Sequence, residues 1–125
     1  MNKIIEFTQD TAYDLVVNKN RNLNATLHCI YVEDGVEYDF NFQDYDTALM
    51  HVKKRSDDNT IILALSTIEN TIELLPQGRI KFVADPEKMN VRAGEYVYDI
   101  YLYSTDYTKR QFMSGRFIIK STVTN

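Results

Sequence analysis

An all-β sandwich is the fold class this chain predicts, on three observations. Nine Tyr and six Phe stand against four Gly and two Pro among 125 residues, and aromatic side chains suit a pleated, half-buried surface. The run Gly94-Glu95-Tyr96-Val97-Tyr98-Asp99-Ile100-Tyr101-Leu102-Tyr103 reads as a long strand with its entry turn. Successive strand side chains point to opposite faces, so Tyr96, Tyr98, Ile100 and Leu102 form a core face while Asp99 stays in water. Finally, turn residues recur at short, regular spacing along the chain, which is the pattern of sandwiches and barrels.

Taken in order, Ile4–Thr8 reads as a short first strand and Tyr13–Val17 as a second extended piece. The Asn-rich 18–22 is a loop, because Asn side chains compete for local backbone hydrogen bonds. From Asn24 to Val32, Ala25, Leu27, Cys29 and Tyr31 alternate with Thr26, His28 and Ile30. Asp34-Gly35 then signals a hairpin, and Tyr38–Phe42 returns as a strand. Ala48–Arg55 is ambiguous by propensity, but turn residues on both sides (Asp44–Asp46 and Ser56–Asn59) favour a strand. Ile61–Leu65 is a compact apolar strand, and Thr71–Leu75 and Arg79–Val83 flank the turn Pro76-Gln77-Gly78. Asp85–Asn90 reads as one helical turn, with Asp85 as N-cap and Pro86 at the first helical position. The last strand, Arg110–Lys120, is expected to put Gln111, Met113, Gly115, Phe117 and Ile119 on one face.

The segment Ala93-Gly94-Glu95-Tyr96 is informative in another way. A small residue, Gly, one spacer and a Tyr opening a long strand match the tyrosine corner of immunoglobulin-like sandwiches, in which the phenol bonds back to upstream backbone. Gly94 permits the sharp turn, Tyr96 is the corner, and Tyr98 takes the buried position two residues on, where antibody domains carry Cys. The expectation is one domain over residues 1–125: an immunoglobulin-like β-sandwich of about eight short antiparallel strands with one short helical turn.

Composition narrows the function. The length is enough for a core without staples. The formal net charge of −4 argues against a nucleic-acid binder, which needs a basic face. Cys29 is the sole cysteine, so no intrachain disulfide forms, and a buried, inert thiol in a reducing compartment is expected. Residues 1–10 lack a signal-peptide core and no apolar run reaches membrane-span length, so no membrane partner is expected.

Catalytic and metal chemistry find little support. His28 and His51 lie in separate strands and could meet across a sheet, but two imidazoles without a metal-ligand motif make a weak site, and they read as ordinary surface or cross-strand histidines. Asp57-Asp58-Asn59 and Asp44-Tyr45-Asp46 supply too few oxygens for calcium and read as turn formers. Nucleophile-elbow, phosphate-loop and zincin motifs do not occur. The sequon Asn24-Ala25-Thr26 reads as chance. No catalytic residue, cofactor or metal is expected. Lys53-Lys54-Arg55 with Lys109-Arg110 reads either as charged strand edges that block unwanted pairing or as an electrostatic contact to an acidic neighbour. Tyr101, Tyr103 and Tyr107 point away from the core face, and tyrosine brings apolar area with a polar tip to interfaces. An interface is expected at Tyr101, Tyr103, Tyr107, Lys109 and Arg110.

Several of these features in sequence resemble one family. The alternating Ala48–Arg55, the isolated Ile61–Leu65, Gly78-Arg79-Ile80-Lys81-Phe82, the Asp85–Asn90 turn, Gly94-Glu95-Tyr96-Val97-Tyr98-Asp99-Ile100, Gly115-Arg116-Phe117 and Val123-Thr124 follow in the family's order. Together they resemble the immunoglobulin-like sandwich of tailed-bacteriophage virion proteins, and most closely the N-terminal domain of upper-baseplate and related tail proteins. The resemblance spans residues 24–124. It departs where family members often carry Asp-Leu-Thr-Gly and this chain has Phe42-Gln43-Asp44-Tyr45-Asp46. It implies a non-enzymatic structural protein, assembled in the bacterial cytoplasm into a virion, with other virion proteins as partners in a homo- or hetero-oligomer. Tail, baseplate, portal and head decoration all stay open. The alternative is a carbohydrate- or receptor-binding module that uses the Tyr107 and Asp44–Asp46 loops.

Overall fold

A computed structural model describes residues 13–19, 21–105 and 109–121, together with the backbone of residues 2–6. Ten strands build it: β1 (Asn2–Glu6), β2 (Leu15–Asn18), β3 (Leu23–Glu33), β4 (Val36–Asp39), β5 (Thr47–Lys53), β6 (Ile61–Ser66), β7 (Ile72–Leu75), β8 (Arg79–Ala84), β9 (Gly94–Tyr103) and β10 (Lys109–Lys120). They form two five-stranded sheets. One runs β1-β3-β8-β7, with β4 also on β3; the other runs β2-β10-β9-β5-β6. The order β3-β8-β7 facing β10-β9-β5-β6 is the B-E-D and G-F-C-C′ arrangement of immunoglobulin-like sandwiches, with β9 in the place of strand F. Most pairings are antiparallel, but β1–β3 and β2–β10 are parallel, which the expectation of an all-antiparallel fold did not include. Parallel neighbours are joined by long connections and leave no local turn signature.

Binary patterning accounts for the layers. β9 buries Tyr96, Tyr98, Ile100 and Leu102, as the alternation predicts, and β5 buries Ala48, Met50 and Val52. On the facing sheet Leu27, Cys29, Ile80 and Phe82 close the core. Each Val, Leu, Ile, Phe or Met among them contributes about 1.5–3 kcal/mol when fully buried. Burial also pushes the Cys29 thiol up to about 12, as expected for an inert core cysteine. Asp34 and Gly35 both take positive φ (52° and 77°) between paired Glu33 and Val36, the geometry of a two-residue hairpin. Phe40, Phe42 and Phe112 form a three-ring cluster with centroids 4.9–5.2 Å apart.

Two local readings, the phase of β10 and the place of the short helix, are corrected, and the turn expected at 85–90 is found. In β10 the register shifts between Gln111 and Met113, so Phe112 and Met113 are both buried while Gln111 is exposed. The bulge spends one extra residue to bring Phe112 between Phe40 and Phe42. Among the described residues the one short 3-10 helix is Phe42–Asp44, a stretch the sequence left without a helical signal. Its turn is capped by the Asn41 side chain, which accepts from the Gln43 N–H. The 85–90 segment is a single hydrogen-bonded turn. Met89 N–H donates to the Asp85 carbonyl, and Asp85 caps the Lys88 N–H at 2.8 Å as an N-cap does. The first strand is observed at Asn2–Glu6; the expected Phe7 and Thr8, and the tail from Thr122, lie outside the described residues.

Candidate functional site

The tyrosine corner positions the strand that carries the candidate surface. Tyr96 Oη donates to the carbonyl of Arg92, four residues upstream, which ties the 85–93 connection to the start of β9. Tyr98, 1% exposed, donates its hydroxyl to the carbonyl of Tyr13. The two tyrosines fix both ends of one short stretch of β9, and Tyr101 and Tyr103 follow on its opposite face.

That face is the outside of the β2-β10-β9-β5-β6 sheet. Cross-strand register places Thr47 beside Tyr103, Leu49 beside Tyr101, His51 beside Asp99 and Lys53 beside Val97. Directly opposed side chains on one face of a sheet touch, so these pairs form a continuous ladder. Leu49, His51, Tyr101 and Tyr103 are all half-buried. Lys109 Nζ lies 4.2 Å from the centroid of the Tyr101 ring, a cation–π contact. Leu49 and His51 are members of this surface that the sequence reading missed, because they enter it only through the β5–β9 register.

Arg110 is separated from this ladder. One residue along β10, it turns to the other side: its guanidinium stacks 5.2 Å from the Phe40 ring, and Nη1 donates to Tyr45 Oη at 3.1 Å. Lys53 and Lys109 pair with Val97 and Tyr103 respectively, six residues apart on β9, or roughly 20 Å. The basic segments therefore do not form one patch. Tyr107 lies outside the described residues.

The two histidines sit on different sheets and do not meet. His28 Nε2 is 2.7 Å from Asp39 Oδ1. His51 is held below its ordinary value, first by partial burial and then by the charges of Lys53 and Lys109, with Asp99 opposing. A lowered pKa in the folded state means the neutral form is favoured. Stability from this source is present above the unfolded value of about 6.5 and is lost as pH falls through the folded value. His51→Gln is expected to flatten the decline in denaturation midpoint between about pH 7.5 and pH 5.5; an unchanged decline would assign it to other groups. Among the described residues no group of three or more His, Cys, Asp or Glu is placed to hold a metal ion.

A concavity lies beside the 3-10 helix. It has a volume of about 440 Å³ and is lined by polar groups of Gln43, Asp46, Thr67, Asn70 and Glu73, with Tyr45 at its side. The Tyr45 ring stacks nearly parallel to Phe40, centroids 6.2 Å apart. Of the expected Asp44–Asp46 platform, Tyr45 and Asp46 line this concavity, whereas Asp44 closes the 3-10 helix. Asn70 and Glu73, from the β6–β7 side, were not legible in the sequence.

No protein family and no curated protein matches the chain. Among solved structures it is similar to the endo-beta-1,4-mannanase of Thermotoga petrophila, at 12% identity and a TM-score of 0.47 over 91% of this chain and 18% of that one. It is also similar to CopC of Methylosinus trichosporium OB3b, at 9% identity and a TM-score of 0.37 over 62% of this chain and 66% of that one. The chain thus spans less than a fifth of the mannanase. Both likenesses are too slight to bear on function.

Proposed function

We propose that this chain is a non-enzymatic structural subunit of a tailed-phage virion, working by protein–protein assembly with other virion proteins. The observation that carries the docking surface is the outer ladder Leu49–Tyr101 and Thr47–Tyr103, with Lys109 over Tyr101. It places two tyrosines on a central strand, braced by neighbours on both sides. Large aromatic side chains held in one rotamer lose little entropy on docking, and they dominate interface energetics. The virion assignment itself is supported by the family resemblance of the turn and strand motifs from Ala48 to Gly115.

Tyr101→Ala and Tyr103→Ala are expected to abolish incorporation into particles, while each variant melts within a few degrees of the parent, since neither ring belongs to the core. Quantitative mass spectrometry of purified particles, counting the chain against the major capsid protein, checks this. Few copies per particle place it in the tail or at the portal, and many make it a head decoration. Complete absence of the parent chain from particles would sink the virion reading.

A carbohydrate-binding module is the second reading, favoured by one observation. The concavity beside Tyr45 combines two carboxylates with two side-chain amides, the donor and acceptor mix that hydroxyl-rich ligands need. A glycan-array signal from the isolated chain that disappears with Asp46→Asn would move the weight there.

A further inference from the structure

We infer that the β3–β4 hairpin of one copy docks onto the β5–β6 corner of a second copy of this chain, head to tail. The inference is independent of the tyrosine ladder. It begins with charge. Residues 22–52 contain no Lys or Arg and carry six of the chain's 18 carboxylates; the other 12 share the rest of the chain with all 14 cations. Glu33, Asp34, Glu37 and Asp39 of that acidic segment lie on the hairpin, and among the described residues Asp39 pairs with His28.

Among the described residues the hairpin is also thinly covered. β8 pairs with β3 only from Leu23 to His28, and β1 only from Thr26 to Ile30. Beyond Ile30, β3 pairs with β4 alone. Among the described residues, 31–38 are therefore a two-stranded ribbon with no third strand. Such a ribbon is marginal by itself, and here the Tyr31–Tyr38 stack, 5.4 Å between centroids, braces it. On one face it presents Val36 and Tyr38, at 51% and 45% exposure, beside Glu33, and on the other Val32, at 43%, beside Glu37. Apolar side chains ringed by carboxylates suit a partner that is apolar and basic.

The β5–β6 corner has that character. Lys54 and Arg55 are exposed, Lys53 precedes them, and Ile61, paired with Lys53, is 43% exposed. Asp57 and Asp58 follow in the same turn; Asp58 is engaged by the Thr60 N–H, and the corner keeps a net positive charge. The corner lies at the far end of β5 from the hairpin. The chain leaves β4, crosses residues 40–46 and enters β5 at Thr47, whereas Lys53 ends that seven-residue strand, roughly 20 Å away. Complementary surfaces at opposite ends of one molecule make a heterologous contact, which builds rings or filaments instead of closed pairs. Exposed ion pairs are individually weak, so the contact is expected to be concentration-dependent, salt-sensitive and strengthened by repetition.

Sedimentation equilibrium of the 125-residue chain tests this at ionic strengths of about 10 mM and about 1 M, across which the screening length falls from about 30 Å to about 3 Å. The expected result is an average mass that rises above 14.6 kDa with concentration at low salt and returns to it at high salt. Glu33→Lys with Glu37→Lys is expected to leave a monomer, as is Lys54→Glu with Arg55→Glu. An equimolar mixture of the two double variants is expected to associate again, because each reversed surface then meets its complement. Circular dichroism melts establish that both variants are folded. A monomer at every concentration and salt would overturn the inference, as would variants that associate like the parent or a mixture that stays monomeric. None of these outcomes depends on incorporation into particles, so failure here and failure of the virion reading are separable.

Discussion

Gly115→Ala is expected to destabilise the sandwich by about 3 kcal/mol or more, as an overpacking change in the tightest part of a structure does. A Cβ at this position would sit 2.2 Å from the Tyr13 carbonyl oxygen and 2.8 Å from its carbon. Those are backbone atoms, so no rotamer change relieves the clash, and the chain before β2 must move away. That chain is held at several points. Tyr13 N–H donates to Ser114 O at 2.9 Å. The Asp14 carboxylate accepts from Arg116 Nε and Nη2 at 3.1 and 2.6 Å, and from the Arg116 main-chain N–H at 3.2 Å. A shift at Tyr13 strains all of these together. The backbone φ of 156° adds a conformational cost. Gly35→Ala is the comparison: its φ is also positive (77°), but nothing lies within 4 Å of the added carbon, so only the conformational cost of about 1–2 kcal/mol applies. Urea titrations of both variants measure the gap, and equal losses would refute the steric account.

The second large effect is expected from Tyr98→Phe. The ring stays and packs edge-on against Phe117, centroids 6.4 Å apart, while the hydroxyl that bonds the Tyr13 carbonyl is lost. Deleting a buried donor costs about 1–3 kcal/mol when its acceptor is left without it. The pH dependence carries the same contact. Burial, and then the nearby Asp14, raise the Tyr98 phenol above its ordinary value. A raised folded value means the protonated phenol is favoured in the folded state. Its contribution is therefore complete below the unfolded value of about 10 and is lost as pH rises through the folded value. Between about pH 9 and pH 11.5 the parent is expected to lose more stability than Tyr98→Phe, and parallel curves would assign the alkaline loss to other groups.

How much of this was legible depended on how local the signal was. The Tyr96–Leu102 core face, the Tyr96 corner and the Asp34-Gly35 hairpin were readable because period-two alternation and turn chemistry are properties of consecutive residues. The phase of β10 was not. Alternation alone keeps Gln111 and Met113 on one face, and the shift that buries Phe112 is set by Phe40 and Phe42, 70 or more residues away in sequence. The same holds for the candidate surface. Tyr101 and Tyr103 were readable as outward-facing, but Leu49 and His51 join them only through pairing between β5 and β9, which no neighbouring residue encodes. Arg110 was grouped with Lys109 by adjacency, yet adjacent strand residues face opposite ways, and the structure applies that rule to them.

The parallel pairing of β2 with β10 bears on how the polypeptide comes to be folded as it is made. Leu15 lies beside Phe117 and Asn18 beside Lys120, about a hundred residues apart. The ribosome must therefore release almost the whole described chain before β2 has a neighbour, before Tyr13 is seated over Gly115, and before Phe112 and Phe117 fill the core. Contacts at such separation make for slow, late closure. Until then β9-β5-β6 can meet the β3-β8-β7 sheet, but the edge of β9 stays unpaired and the part of the core that Phe112, Met113, Phe117 and Ile119 fill stays open. A nascent chain stalled before Lys109 would leave that edge and that gap in the core open to solvent, so chaperone dependence is expected to be concentrated in the last strand's worth of translation.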